Sequence, residues 1–591
     1  MQIDIHYHFA EFFPQQAIRP YAYLLSKRLS EGHICIPVSH QEETPFQYPS
    51  AADIKKLSKQ ILGSAENTNA PFIADEGFIY LQRYYKYEIN IYQKLIQKIM
   101  LSVEEKHILR KQLASVQEEL DSFVKDGSSG TKEPDWQMMA IIRCLLQRFA
   151  IISGGPGTGK TTTLARLLGM LYAIDRESRI ALAAPTGKAS MRMIESLRQR
   201  VAEFPERIRE KIETLKPHTL HALLGYQKNS IYFKHNIENP LPYDCIIIDE
   251  ASMIDVPMFS KLLDACSLHT RLILLGDKDQ LASVEAGSLL GDLCVSAGTL
   301  NTFNEEDFSF INKIIAKRSS PIPDSCKVKI TKPLANAITE LRHSHRFGKD
   351  SQIGNLSRAI IQGDIDAAVE IFNNQTQQEV SMIDFNDQKR FRNFILGYAD
   401  YLQEDNISIA LKKFNKLKIL VSVREGNFGL YAINIKIEQI LSAAYPGLIK
   451  PAGGFYHNQP VMITQNNYEL GLYNGDIGIV RKDSNTNRLR VWFASAEENE
   501  SVRSFNPAHF SSYETAFAMT IHKSQGSEFD QVMVVLPEKT DNLLLSRELL
   551  YTGITRAKSS ALLMGTEEAL RFGIHRSVER FSGLQKRFSA Q

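Results

Sequence analysis

The chain has 591 residues, too many for one ordinary hydrophobic core, and this length predicts three or four domains. Hydrophobic residues make up 43% of it and charged residues 23%, as in a globular protein, and no apolar run approaches the length of a membrane span. The net charge of +2 neither indicates nor excludes a nucleic-acid partner, because a basic groove can lie in an otherwise acidic surface.

The N-terminus and the cysteines indicate a cytoplasmic protein. The first residues, MQIDIHYHFAEFF, lack the basic and apolar regions of a secretory signal. The six cysteines are scattered without any CxxC pair, which argues against a zinc ribbon or a disulfide scaffold and favours a reducing compartment.

The first 125 residues are predicted to form a separate N-terminal domain. Within them Gly77–Tyr84 (GFIYLQRY) is predicted as a strand, and apolar residues at helical spacing over Lys94–Val124 predict one or two helices. The small polar stretch Asp126–Lys132 (DGSSGTK) is the best linker candidate, and a domain boundary is placed there.

From Asp135 onward, helical stretches alternate with short apolar strands. Buried strands are predicted at Phe149–Ile152, Ile180–Ala184, Cys245–Ile248 and Leu272–Leu275. A second series is predicted at Lys418–Val421, Gln531–Leu536 and Ala561–Met564. Such alternation is typical of mostly parallel sheets covered on both faces, so the predicted fold class is α/β.

The second series is interrupted by a stretch of different character, Gln459–Ala494. Its segments PVMITQ, IGIVRK and LRVWFA are rich in β-forming residues, and the turn signal Tyr473–Asp476 separates the first two. This pattern predicts a small β-barrel inserted into the second α/β domain.

A phosphate-binding loop is predicted where Phe149–Ile152 runs into the sequence GGPGTGKT, followed by a helix over Thr161–Leu171. Glycines let backbone N–H groups surround phosphate oxygens, and the helix N-terminus adds partial positive charge. Lys160 is expected to reach the β- and γ-phosphates and the Thr161 hydroxyl to hold Mg²⁺. The alternative, a chance glycine-rich turn, is disfavoured by the strand–loop–helix context. The predicted nucleotide contacts are Gly154, Gly155, Pro156, Gly157, Thr158, Gly159, Lys160, Thr161 and Thr162.

Two further strand ends are expected to face the same crevice, since carboxyl ends of parallel strands meet at one edge. Asp249 and Glu250 follow Cys245–Ile248; Asp249 is expected to bind the Mg²⁺ shell and Glu250 to activate the attacking water. An Asp-Glu pair in isolation is usually only solvated. Gln280, after Leu272–Leu275, is a candidate sensor of the nucleotide, with an ordinary polar loop as the alternative.

Five more segments complete an ordered set of motifs. They are APTGKAS (184–190), PHTLHALLG (217–225), SHRF (344–347), TIHKSQGSEF (520–529) and YTGITRAK (551–558). With the phosphate-binding loop and the Asp-Glu pair, this set resembles the superfamily 1 helicases from about Asp135 to Lys558. In that superfamily two RecA-like domains clamp ATP between them and hold a nucleic-acid strand across their tops.

The resemblance implies further nucleotide contacts. Gln137 is expected to read the adenine, and Arg346 and Arg556 to reach the γ-phosphate from the second domain. Such an arginine fork neutralises transition-state charge and couples hydrolysis to domain closure. Lone arginines would more often form surface salt bridges. Glu528 is a candidate contact of the nucleotide ribose.

The resemblance also implies that single-stranded DNA is bound by a set of side chains on both domains, namely Thr186, Lys188, His221, Thr520 and His522. Hydroxyls, a lysine and helix N-termini suit phosphate contacts that do not depend on base sequence. The alternative for His218 and His221 is that they only pack a helix end.

Three segments narrow the match: LVSVREGNFG (420–429), GLYNGDIG (471–478) and Gly77–Tyr84. They resemble the RecD family, the alpha subunits of exodeoxyribonuclease V (RecBCD) enzymes, although Asn427 stands where those proteins usually carry proline. The resemblance implies a 5′-to-3′ DNA helicase and translocase in double-strand break repair and recombination. RecB-like and RecC-like partners would complete a heterotrimer, with DNA cleavage left to a partner.

The domain organisation expected from this resemblance has three parts. Residues 1–125 form an N-terminal partner-interaction domain, and residues 135–335 form the first RecA-like ATPase domain. Residues 336–591 form the second RecA-like domain, with an SH3-like β-barrel inserted at about 450–510.

Three alternatives remain open. An independent helicase of the same superfamily is the first, although its longer relatives carry an N-terminal region for which the residues before Asp135 leave no room. A non-catalytic DNA-binding scaffold is the second, and it is opposed by the intact residues Lys160, Thr161, Asp249, Glu250 and Arg556. A small-molecule kinase would not explain the paired downstream arginine motifs.

Overall fold

The computed structural model describes residues 4–122, 134–283, 285–315, 319–329, 332–348, 350–373, 379–450, 453–467, 469–484, 486–495, 502–539 and 542–589. The linker predicted at Asp126–Lys132 lies outside these residues. None of the described helices is both long and apolar enough to cross a lipid bilayer.

The N-terminal region, residues 4–122, combines a small sheet with six helices. The strands are β1 (Cys35–Pro37), β2 (Leu62–Gly63), β3 (Phe72–Asp75) and β4 (Phe78–Leu81), in the order β1–β4–β3–β2. The helices are α1 (Ile5–Glu11), α2 (Arg19–Ser30), α3 (Ala51–Lys55), α4 (Gln82–Ile99), α5 (Val103–Ser115) and α6 (Gln117–Ser122).

The strand predicted over Gly77–Tyr84 is therefore strand only as far as Leu81. From Gln82 the buried side chains recur at helical spacing, so the chain continues as α4. Ile91 and Leu95 of α4 lie in the same hydrophobic core as Ile246 of the neighbouring domain. The N-terminal region is thus packed directly onto that domain.

A six-stranded sheet forms the first α/β unit, which we call the first unit. Its strands are β5 (Phe149–Gly154), β6 (Ile180–Ala184), β7 (Pro217–Thr219), β8 (Cys245–Ile248), β9 (Arg271–Gly276) and β10 (Ile338–Leu341). Its helices are α7 (Trp136–Leu146), α8 (Lys160–Ile174), α9 (Gly187–Arg198), α10 (Glu206–Glu213), α11 (Leu220–Leu224), α12 (Val256–Ala265), α13 (Leu289–Ala297) and α14 (Glu305–Ile315).

All neighbouring strands of this sheet run parallel, in the order β10–β5–β9–β8–β6–β7. Ile151 and Ile246 face one hydrophobic core, while Ile152 and Ile247 face another on the opposite side. The prediction of a parallel sheet covered on both faces is confirmed.

The predicted boundary after residue 335 is too early. Ile338 pairs with Ile151 and Leu341 with Gly154, so β10 belongs to the first sheet. The buried guanidinium of Arg143 holds the approach to β10, donating hydrogen bonds to the carbonyls of Ala335 (3.0 Å) and Ile338. A four-residue strand with alternating polarity, ITEL, carries too little apolar signal to be recognised in the sequence.

The second unit begins after β10 and contains two sheets. Its strands are β11 (Val380–Ile383), β12 (Leu417–Val421), β13 (Pro460–Ile463), β14 (Ile477–Lys482), β15 (Leu489–Ala494), β16 (Val502–Phe505), β17 (Tyr513–Thr515), β18 (Ala518–Thr520), β19 (Phe529–Val535) and β20 (Ala557–Met564). Its helices are α15 (Gln352–Gln362), α16 (Ile365–Asn373), α17 (Gln388–Leu396), α18 (Ala399–Leu402), α19 (Ile407–Phe414), α20 (Leu430–Ala444), α21 (Arg547–Ile554) and α22 (Glu567–His575). A last helix, α23 (Leu584–Ser589), packs in the core that the first unit shares with the N-terminal region.

The two sheets of the second unit differ in strand direction. Strands β11–β20–β19–β12–β18 form a parallel sheet, again with a core on each face. Strands β16–β15–β14–β13–β17 form an antiparallel sheet with a small core of its own. We call this antiparallel sheet the β insertion, since it lies in sequence between β12 and β18.

The end of the chain leaves the second unit. The Arg587 guanidinium lies 2.8 Å from carboxylate oxygens of both Glu88 and Asp75 in the N-terminal region. Arg580 donates to the Gly287 carbonyl of the first unit at 2.7 Å. The predicted range 336–591 for the second domain is therefore also too long at its C-terminal end.

A pH-dependent contact joins this C-terminal segment to the N-terminal region. His33 is 8% exposed, and its Nδ1 accepts a hydrogen bond from the Phe581 backbone N–H at 3.0 Å. Burial, reinforced by the nearby Arg28, lowers the pKa of His33 from 6.5 to about 4. The unfolded chain therefore binds this proton more tightly than the folded chain does.

We expect the stability that His33 contributes to be present in full above pH 6.5 and to be lost as the pH falls through 4. The total is about 3 kcal/mol of unfolding free energy. Urea unfolding of the wild type and of His33→Asn, whose side-chain oxygen keeps the acceptor without titrating, measures it. Equal losses of stability in both proteins between pH 6.5 and 4 would contradict the assignment.

Candidate active site

The phosphate-binding loop lies between β5 and α8 and depends on two glycines with left-handed backbone. Gly157 has φ +76° and Gly159 has φ +85°. A Cβ atom on Gly157 would lie 2.3 Å from the Cβ of Arg346, and one on Gly159 would lie 2.2 Å from the Gln137 amide nitrogen. Both the conformation and the close neighbours therefore require glycine.

Lys160 begins α8 and turns its ammonium group toward the loop. Its Nζ donates to the Gly154 carbonyl at 2.5 Å and to the Gly155 carbonyl at 3.1 Å. Thr158 closes the same turn, its hydroxyl donating to Gly155 at 2.8 Å. The positive charge thus stays at the loop, where the sequence predicts phosphate binding.

Asp249 and Glu250 stand at the carboxyl end of β8, two strands from the loop in the same sheet. The Glu250 backbone N–H donates to the Asp249 carboxylate at 2.9 Å, and Glu250 itself has φ +53°. Burial and then the charge of Glu250 raise the pKa of Asp249, while Lys160 acts in the opposite direction. The half-buried carboxylate of Asp249 therefore lies within electrostatic range of the Lys160 ammonium.

Gln280 and the unpredicted Tyr551 meet at one carboxylate. The Gln280 amide nitrogen and the Tyr551 hydroxyl each lie 3.0 Å from Oδ2 of Asp277, at the end of β9. Among the described residues, no hydrogen bond reaches the buried Oε1 of Gln280. The Tyr551 hydroxyl also lies against Gly155, where a Cβ would be 2.9 Å from it. Tyr551 therefore brings the second unit into contact with the loop.

The segment after β10 crosses directly over the loop. The His345 backbone N–H donates to the Gly157 carbonyl at 2.7 Å, and the Ser344 hydroxyl donates to the Pro156 carbonyl at 3.1 Å. Gln137 donates to the Thr158 carbonyl at 3.1 Å, and its amide nitrogen lies 3.2 Å from the His345 ring. Gln137 thus lies beside the loop.

The two predicted arginines differ in their surroundings. Arg346 lies against Gly157 and forms an ion pair with Glu528. Burial alone would raise the pKa of Glu528, but Arg346 and then Arg192 hold it below its ordinary value. Arg556 is buried, and its hydrogen bonds go to the carbonyls of Thr552 (3.1 Å) and Ser527 (3.2 Å) rather than to the loop.

Two predicted DNA contacts lie at the start of α9. The Thr186 hydroxyl caps this helix, accepting the Ala189 N–H at 3.2 Å. Burial and then Arg192 lower the pKa of the adjacent Lys188 to about 8. The turn of the β insertion covers this end, because a Cβ on Gly187 would lie 2.2 Å from the ring of Tyr473.

The other three predicted DNA contacts have different neighbours. His221 is exposed on α11, with its ring centroid 5.7 Å from that of Phe233. Thr520 is buried at the end of β18, and its hydroxyl accepts the Lys523 N–H at 3.4 Å. Burial and then Arg580 lower the pKa of His522. Although His221 is exposed as a whole, partial desolvation of its ring lowers its pKa, so both imidazoles favour the neutral form.

Sequence reasoning missed four side chains of the site: Tyr551, Ser344, His345 and Arg192. Tyr551, Ser344 and His345 belong to motifs that the sequence analysis identified, so their place in the site could have been predicted from those motifs. Arg192 carried no signal, because its partner, the Gly526 carbonyl, lies 334 residues away in sequence.

Two family models match the chain, and each covers residues of one half of this site. The AAA domain family matches residues 137–286, and the UvrD-like helicase C-terminal domain family matches residues 515–564. The fold and the site therefore define a P-loop ATPase of the helicase class.

Relatives identify the family. The RecBCD enzyme subunit RecD of Haemophilus influenzae is 34% identical over 88% of this chain and 81% of that protein. The same subunit of Buchnera aphidicola from Acyrthosiphon pisum is 31% identical over 94% and 93%. The ATP-dependent RecD2 DNA helicase of Deinococcus radiodurans is 25% identical over 95% of this chain and 67% of its own length. The chain belongs to the RecD family of RecBCD enzyme subunits, and it is an ATP-dependent DNA helicase.

We expect Gly157→Ala to lower ATP turnover by about 100-fold, because a displacement of about 1 Å at an active site has that cost. The added Cβ meets Arg346 at 2.3 Å in a backbone conformation that alanine rarely adopts. Steady-state ATPase assays measure the effect. Gly447→Ala, with open space around its Cβ, is the matched control. Unchanged turnover in Gly157→Ala would contradict the close contact.

Proposed function

We propose that this chain couples ATP hydrolysis to 5′-to-3′ movement along single-stranded DNA, as the alpha subunit of a RecBCD-type helicase–nuclease. The observation that carries the proposal is that residues of both units meet at the phosphate-binding loop. Tyr551 and Arg346 contact Gly155 and Gly157, while Glu528 pairs with Arg346. A change in the bound phosphate therefore changes the fit between the units.

We propose that hydrolysis uses the predicted residues in the following roles. Lys160 neutralises the phosphates, Glu250 orients and activates the attacking water, and Gln280 contacts the γ-phosphate through its unpartnered oxygen. Arg346 and Arg556 stabilise the charge of the transition state. Of these, Arg346 lies against the loop, and Arg556 would approach as the cleft closes.

The residues also fit a bound Mg²⁺ ion. The Thr161 hydroxyl and the Asp249 carboxylate are hard oxygen donors of the kind that this ion prefers, and phosphates and water would supply its other ligands. The half-buried carboxylate of Asp249, whose pKa is raised by desolvation and then by Glu250, would gain a compensating cation in this way. Mg²⁺ would neutralise charge that develops on the phosphates.

We propose that single-stranded DNA crosses the tops of the two sheets. Thr186, Lys188, His221, Thr520 and His522 would contact its phosphates. The β insertion, as a small SH3-like barrel, would form part of this path, since its Tyr473 turn lies over the start of α9. The functional domains then correspond to the N-terminal region, the first unit extended to β10, and the second unit.

The N-terminal region supplies the surface for RecB-like and RecC-like partners in this proposal. The relatives that the chain spans most fully are named as RecBCD enzyme subunits, which favours a complex over an independent helicase. All six cysteines are free and buried, in keeping with a cytoplasmic location.

We expect Lys160→Gln to abolish ATP hydrolysis that depends on single-stranded DNA, because the loop loses the charge that meets the phosphates. A coupled ATPase assay with and without oligonucleotide tests this. Lys389→Gln, at an exposed position on α17, is the control for loss of a lysine. ATP turnover that persists in Lys160→Gln would contradict the ATPase assignment.

We expect the chain to displace a block from the 3′ end of a single strand and not from the 5′ end, and to do so faster after mixing with RecB-like and RecC-like subunits. Streptavidin displacement from end-biotinylated oligonucleotides measures polarity, and gel filtration measures assembly. Efficient unwinding by the chain alone, with no assembly, would favour the independent helicase.

A further inference from the structure

A four-residue segment of the second unit, Gln525–Glu528, is held between the two units. The Gln525 amide donates to the Leu281 carbonyl of the first unit at 2.8 Å. The guanidinium of Arg192, on α9 of the first unit, donates to the carbonyl of Gly526. The next two residues, Ser527 and Glu528, bind Arg556 and Arg346. We call residues 525–528 the bridging segment, because it contacts the first unit at one end and these two arginines at the other.

Gly526 places this segment beside the water-activating carboxylate. It has φ +68°, and its Cβ position lies 3.6 Å from the Cβ of Ala189 and 3.7 Å from Oε1 of Glu250. Ser527 then accepts a hydrogen bond from Arg556 at 3.2 Å, and Glu528 pairs with Arg346. A shift of the Gly526 backbone would therefore move partners of both predicted arginines.

Arg192 also faces the start of α9. Lys188 and Arg192 are four residues apart and so lie on one face of the helix, about 6 Å apart along its axis. Their charges interact, since Arg192 contributes to the lowered pKa of Lys188. Glu528, Glu250 and Arg556 lie within electrostatic range of the Arg192 guanidinium. One helix face thus joins the proposed strand-binding end to the bridging segment.

We propose that Arg192 is a positioning residue that couples the presence of a DNA strand at Thr186 and Lys188 to the alignment of the bridging segment. A DNA phosphate at the start of α9 would neutralise the positive charge of Lys188 and so remove its repulsion of Arg192. Arg192 would then hold its hydrogen bond to the Gly526 carbonyl more firmly. The charged hydrogen bond then fixes Gly526, and through it Arg346 and Arg556. This inference rests on the proposed function, because it requires a strand at α9.

The test compares Arg192→Met, which keeps the length of the side chain but removes its charge and donors, with Arg192→Lys, which restores the charge. Arg198→Met, at an exposed position of the same helix, is the matched control. The full chain is assayed alone and with its partner subunits. ATPase rates are titrated with a poly-dT oligonucleotide, and oligonucleotide and ADP affinities are measured separately by fluorescence.

We expect Arg192→Met to lower the maximal stimulation by oligonucleotide about tenfold, the size of a typical coupling between sites, while both affinities stay near the wild-type values. Arg192→Lys should recover part of the stimulation, and Arg198→Met should match the wild type. Full stimulation in Arg192→Met would overturn the inference, as would a loss explained wholly by weaker oligonucleotide binding.

Two further outcomes are separable. If Arg192→Met does not fold, as judged by thermal melting, Arg192→Gln takes its place, and full stimulation in that neutral variant overturns the inference. If the wild-type protein is not stimulated by the oligonucleotide at all, the proposed function itself fails, and the inference fails with it.

Discussion

The position of β10 beside β5 is the constraint on which the nucleotide site depends. Parallel pairing ends with Leu341 opposite Gly154, so the chain must leave the first sheet at the edge where the phosphate-binding loop begins. Ser344 and His345 then bind the loop backbone, and Arg346 lies against Gly157. The connection between the units is thereby a wall of the active site.

A consequence is that carboxylates of each unit are matched by groups of the other. Asp277 of the first unit accepts a hydrogen bond from the Tyr551 hydroxyl, and Glu528 of the second unit faces Arg192 of the first. Charge-assisted hydrogen bonds of this kind are strong and depend on geometry. The fit of the two units at the cleft is therefore sensitive to small changes in the positions of the two sheets.

Features that depend on local sequence were predictable, whereas features that depend on contacts between distant residues were not. Ile180–Ala184 and Cys245–Ile248 have the predicted bounds, because strands buried on both faces are continuous apolar runs. Short or edge strands such as β7 and β10 lack that signal. Motif residues of the site were predictable for a similar reason, since each motif is local. Arg192 was not, because its role depends on a contact between α9 and a distant backbone carbonyl.

The C-terminal segment limits how the cleft can move. The second unit is attached to the first by the crossing after β10, and a second time by Arg580, which binds the Gly287 carbonyl. Arg587 then joins the same segment to the fully buried Glu88. Gln525 and Tyr551 add hydrogen bonds across the cleft, to the Leu281 carbonyl and the Asp277 carboxylate, so the second unit is held to the first at several points. Movement of the second unit would therefore change several of these contacts together, and the Tyr473 turn over α9 belongs to the same unit. The chemistry of the loop is linked in this way to the path proposed for the strand.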